Sequence, residues 1–131
     1  MKPINKKAEK ILTKIVDGLD SDNPHRKIDN SECFMAVSVE WIGHSDIGDH
    51  FSVAHYGTQN GDAMRDPEMI FARTWQGKFI PVYFRNDYIG REEVSVTFED
   101  NKASAFRPRL QREHATFAGQ WLPNIKSQQA L

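Results

Sequence analysis

"FMAVSVEWI", residues 34–42, is where the chain changes period. Met35, Val37, Val39 and Trp41 fall on one side of an extended backbone, and Ala36, Ser38 and Glu40 on the other. That alternation belongs to a strand with one buried face. Reading downstream, the same pattern predicts four more strands: "HFSVAHY" (50–56), "EMIFARTW" (68–75), "KFIPVYF" (78–84) and "REEVSVTFE" (91–99). Pro81 lacks a ladder donor and points to an edge or a bulge. The connections are short, which favours neighbouring antiparallel strands in series.

Reading upstream, the period is helical. Ile4, Ala8, Ile11, Leu12, Ile15 and Leu19 recur at helical spacing with lysines between them, which could bind phosphates but read as a solvated face. Gly18 and "DSDNP" close this helix, and residues 20–32 read as a polar loop. A second helix starts near Pro108 with an apolar stripe of Leu110, His114, Phe117, Ala118 and Trp121. Pro123 is expected to end it, leaving 124–131 as a flexible tail. The expected fold is α+β in two layers: a five-stranded antiparallel meander with the N-terminal and C-terminal helices on one face, in one domain over 1–131. The other face is left partly open as a binding surface.

Seventeen basic and eighteen acidic side chains give a net charge of −1. No bulk attraction to nucleic acid or to an anionic membrane follows from that balance. No apolar run is long enough to span a bilayer. "MKPINKKAEK" has the charge of a signal peptide without its apolar core. A single cysteine, Cys33, excludes an intrachain disulfide and fits a cytoplasmic protein; as a residue it reads as a small buried thiol.

Polar chemistry concentrates in "HYGTQNGDAMRDPEMIF", residues 55–71. Asn60-Gly61 and Asp66-Pro67 are turn signals, so the segment reads as a long polar loop between the second and third strands. Asp62, Asp66 and Glu68 lie within seven residues. In a meander the turn at Asn86-Asp87 emerges at the same end, bringing Asp87 toward them. Together the four carboxylates could hold a divalent cation. His55, with the parity of Phe51 and Val53, reads as a core histidine; its chemical alternative is a general base.

Two further groups attract attention. "HSDIGDH" places His44, Asp46, Asp49 and His50 at the opposite end of the sheet, where a hairpin turn is favoured over a metal site. Tyr56, Trp75, Tyr83, Phe84 and Tyr88, with Arg65, Arg73, Arg85 and Arg91, could stack and clamp nucleic acid, although sheet aromatics are more often packing. Arg107, Arg109 and Arg112 stand at the start of the second helix, unfavourably for its dipole.

The middle third of the chain resembles a family of small uncharacterised bacterial proteins found on plasmids, phages and conjugative elements. The matching residues are His55, Tyr56, Gln59, Asn60, Gly61, Asp62, Met64, Asp66, Pro67, Glu68, Phe71, Asn86, Asp87 and Gly90. The resemblance implies a genomic setting and no mechanism. The expected function is a small non-enzymatic accessory protein that binds a protein partner, or nucleic acid, through the loop end of its sheet. Tyr56, Gln59, Asn60, Asp62, Arg65, Asp66, Glu68 and Asp87 are the expected contact residues. The alternative is a metal-dependent phosphodiester hydrolase using Asp62, Asp66, Glu68, Asp87 and His55. A third reading is an oligomeric subunit that pairs through the fourth strand or the open face.

Overall fold

The structure, a computed structural model, describes residues 1–131. The first helix, α1 (Lys6–Val16), is capped by Asn5, whose Oδ1 accepts from the Ala8 amide at 2.8 Å. Its inward stripe is Ala8, Ile11, Leu12, Ile15 and Val16. The polar segment after it contains a short strand, β1 (His25–Ile28), which pairs antiparallel with β2 (Val37–His44). Sequence reading took this segment as loop because only Ile28 of the four residues is buried. Such a polar strand suits a sheet edge, where unpaired backbone groups invite unwanted pairing. Arg26 from β1 also closes α1, donating to the Ile15 carbonyl at 2.7 Å and to that of Asp17.

The sheet continues in chain order through β3 (Asp49–Gln59), β4 (Asp62–Arg73), β5 (Phe79–Asn86) and β6 (Arg91–Val94), all antiparallel. The meander therefore has six strands, not five. Pro81 lies at an irregularity in the β4–β5 register, so it marks a bulge on an internal strand. The fourth strand expected from sequence is β5, an internal strand that pairs with β4 on one side and, over Tyr83–Asn86, with β6 on the other.

The last expected strand, 91–99, breaks at Ser95. Its second half, β7 (Val96–Glu99), leaves the sheet and pairs with β8 (Lys102–Phe106). Asp100 and Asn101 make the two-residue turn with positive φ at both positions, 51° and 62°. Ser95 is fully buried; its amide donates to the Val82 carbonyl, and its carbonyl accepts from Arg107. This hairpin folds over the face expected to be open. Val96 joins Ala72, Ile80 and Val82 in a small second core, flanked by Ile47, Ile70, Tyr83, Phe98 and Ala103.

The other face carries the main core. Val37, Val39, Phe51, Val53, Met69, Phe71, Phe79 and Phe84 meet α1 and the second helix, α2 (Pro108–Gln128). Pro108 occupies the first turn, where a missing N–H costs nothing. Pro123 does not end α2, and the expected tail is helical to Gln128. An interior proline costs about 3 kcal/mol, and the burial beyond it offsets that. Ile125 and Gln129 are both fully buried. Gln129 accepts from the Asn30 amide at 2.7 Å and donates to the Met35 carbonyl at 3.0 Å. Cys33 is exposed, against expectation, because β2 begins only at Val37 and the residues before it lie outside the sheet.

Candidate binding rim

Asn60-Gly61 is a two-residue turn with φ of 53° and 84°, joining Gln59 directly to its partner Asp62. The expected long loop is therefore the tip of a β3–β4 hairpin. Strand β2 pairs with β3 only as far as His55, and β5 pairs with β4 only as far as Glu68. Residues 56–65 thus extend beyond the neighbouring strands as an overhang.

The turn after β5 braces that overhang. Asn86 caps a single 3-10 turn, Asp87–Ile89, by accepting from the Tyr88 amide at 3.1 Å, and Gly90 closes it at φ 62°. The Asn86 side-chain amide donates to Asp66 Oδ1 at 3.0 Å, and Asp87 Oδ2 accepts from the Arg65 amide at 2.8 Å. The Tyr88 side chain lies across Gly57, with its hydroxyl 3.4 Å from the Thr58 carbonyl. The Asp66–Pro67 bond is cis and falls where the β3–β4 register shifts. The expected approach of Asp87 to the acidic stretch is therefore real, and its purpose is visible: it ties the turn to the hairpin.

A chain of charged hydrogen bonds crosses the face from β3 to β6. Ser52 donates to Glu68 Oε2 at 2.6 Å, and Arg65 Nε lies 3.4 Å from Glu68 Oε1. Arg85 Nε donates to Asp87 Oδ1 at 2.7 Å, while its Nη1 reaches Glu92 Oε2 at 2.9 Å. Tyr83 donates to the same Glu92 oxygen at 2.8 Å. The Arg65 amide and the Arg85 guanidinium hold the Asp87 carboxyl below its ordinary range. The bonds to Asp87 and Tyr83 push Arg85 further up, and burial with the Glu92 contact raises Tyr83. All three shifts lead away from neutrality.

Of the expected contact residues, Arg65, Asp66, Glu68 and Asp87 come together as this brace. Tyr56, Gln59, Asn60 and Asp62 lie exposed on the overhang. Asp62, Asp66, Glu68 and Asp87 do not converge as a ligand set: no group of three or more His, Cys, Asp or Glu side chains is placed to hold a metal ion. His55 does face the core, 6% exposed and edge-on to Trp121. Burial lowers its pKa against the pull of Asp66, and its Nε2 has no hydrogen-bond partner. Sequence reasoning missed Ser52, Glu92 and Ile89. Register would have found Glu92, since Glu68 stands opposite Arg85 and Arg85 opposite Glu92; Ser52 reaches Glu68 diagonally, from opposite Ile70.

At the far end, His44 and Asp49 face each other across the β2–β3 turn. Asp46 accepts from the Ala103 amide at 2.9 Å, and its own amide donates to Asn101. His50 lies 2.8 Å from Ser45 Oγ and edge-on to Phe98. This group seats the β7–β8 hairpin. No helix is long and apolar enough to cross a membrane.

Neither the comparison with curated proteins nor that with solved structures gives a match. The family model "Domain of unknown function (DUF6908)" does match, over residues 4–131, and the chain belongs to that family.

Proposed function

We propose that this chain is a small non-enzymatic accessory protein of a mobile genetic element, binding a protein partner through the rim where the β3–β4 overhang meets the turn at 87–89. The observation that carries this reading is that exposed aromatic and apolar side chains flank both faces of the overhang beside the charged hydrogen bonds. Tyr56 and Tyr88 are each 43% exposed and Ile89 65%. Tyr56 stands opposite Arg65 on one face of the β3–β4 hairpin, and Tyr88 crosses Gly57 on the other face. Tyrosine and arginine on a preorganised frame are the usual anchors of an interface, because little side-chain entropy is lost on contact. The genomic setting is carried by the sequence resemblance alone.

Charge argues for protein over nucleic acid at this place. Residues 17–106 hold sixteen acidic against eight basic side chains, a net −8. A polyanion is repelled there, and a partner with basic side chains around an apolar centre is favoured. The test is capture from host extract by wild type and by a Tyr56→Ala/Asp62→Ala variant. Both substituted residues are exposed, so the melting curve should move by no more than about 0.5 kcal/mol. The variant is expected to lose one or more proteins that wild type retains. Identical capture by a folded variant rejects the rim.

A further inference from the structure

The net charge of −1 conceals a separation by layer. Residues 1–16 and 107–131, which supply the two helices, hold nine Lys and Arg against only Glu9 and Glu113, a net +7; the −8 of residues 17–106 lies in the rest of the fold. The positive charge has a focus. A cleft of about 240 Å³ between α1 and the end of α2 is lined by Lys7, Lys10, Ile11, Lys14, Lys126 and Leu131, with no acidic side chain among them. The only lysine in an ion pair anywhere in the structure is Lys27, on β1, so all four cleft lysines are uncompensated. Lys7, Lys10 and Lys14 share one flank of α1 because residues three and four apart are neighbours on a helix. Like charges so placed destabilise the helix that carries them, and nothing in the fold relieves them. The sequence shows the three on α1 as a solvated face. Only the fold adds Lys126 from the other helix and the concavity between them.

We propose that this cleft seats the phosphate backbone of nucleic acid, on the side of the molecule away from the acidic sheet. At 1.5 Å per residue, Lys7 to Lys14 spans about 10 Å. Duplex phosphates advance about 3.4 Å per strand along the axis, so the row matches about three of them, with Lys126 reaching one more. A concave row of ammonium groups follows a chain of phosphates. A lipid surface is flat, and the outward residues of α1, Lys6, Lys7, Lys10, Thr13 and Lys14, offer nothing apolar to insert in it. Contacts of this kind carry no base information, so the binding is independent of sequence.

The experiment is fluorescence anisotropy of the full chain with labelled duplex and single-stranded DNA between about 50 and 200 mM salt. Four phosphate contacts give a slope of log K against log salt of about −3.6 for duplex or −2.8 for a single strand; either supports the proposal. Lys10→Glu/Lys14→Glu should reduce the duplex slope to about −1.8 and weaken binding at least about tenfold. Lys78→Glu/Lys102→Glu makes the same charge change in the sheet half and should leave the slope unchanged. All four positions are exposed, and a melt confirms that each variant folds. Equal losses in the two variants, no binding to either DNA, or tighter binding to polyglutamate or anionic vesicles at the same salt each overturn the proposal. The rim variant should bind DNA as wild type does, so this reading and the protein-partner reading fail separately.

Discussion

Gly57 is present because of Tyr88. A Cβ at that position would meet the Tyr88 hydroxyl and ring. In Gly57→Ala the ring must swing off the overhang, since the tip of a side chain yields more readily than strand backbone. Stability should fall by less than about 1 kcal/mol, because the tip that must move is exposed, and capture of the partner should weaken. A melt and a capture assay on one preparation check both. His55 carries a different prediction. Burial lowers its pKa, and His50 is lowered for the same first reason. A histidine whose folded pKa lies below its unfolded value binds more protons when unfolded. Its stabilisation is complete above the unfolded pKa, about 6.5, and drains away as pH falls toward the folded value. The melting temperature should therefore drop as pH goes from about 7.5 to about 5. His55→Leu should flatten part of that drop, leaving the share of His50. An unchanged pH profile in His55→Leu would show that the buried ring remains protonatable at no cost.

At the scale of elements, the end of α2 decides how the chain closes. Gln129 is fully buried and holds Asn30 and Met35 in the segment leading into β2. Gln129→Ala removes the hydrogen bonds to the Asn30 amide and the Met35 carbonyl, groups of exposed residues that water can reach, and should cost about 0.5–1.5 kcal/mol per lost bond; a denaturant melt measures it, and no change would mean these bonds are dispensable. This closure was not legible in the sequence. Pro123 is a local stop signal, and only the tertiary burial of Ile125 and Gln129 overrides it. The central strands were legible because Val37, Val39, Phe51 and Val53 alternate cleanly into one core. β1 and β8 were not, since "HRKI" and "KASAF" hide few apolar side chains. The hairpin of β7 and β8 had a readable turn at Asp100-Asn101, but nothing local says that Ser95 breaks the preceding strand. Asn60-Gly61 carried the correct turn, and the polar residues around it disguised a pair of strands as a loop.

Across the whole molecule, two surfaces stand apart. The sheet ends in an acidic, tyrosine-bearing rim, and the helices present a basic cleft. Composition averages these to near neutrality, so the sum over the sequence hides what the fold separates. The rim's position came from strand parity; its content did not, because which of Glu68, Arg85, Asp87 and Glu92 pair depends on register. A molecule built this way can hold a protein at one side and a polyanion at the other, each contact governed by its own charges. The central claim is the rim, and amide hydrogen exchange of the chain with and without its captured partner tests it most directly. Slowed exchange in peptides spanning 56–65 and 86–91, with the helices unchanged, is the result this account requires. Slowing confined to α1, α2 or the β7–β8 hairpin, with the overhang exchanging as in the free protein, would contradict it.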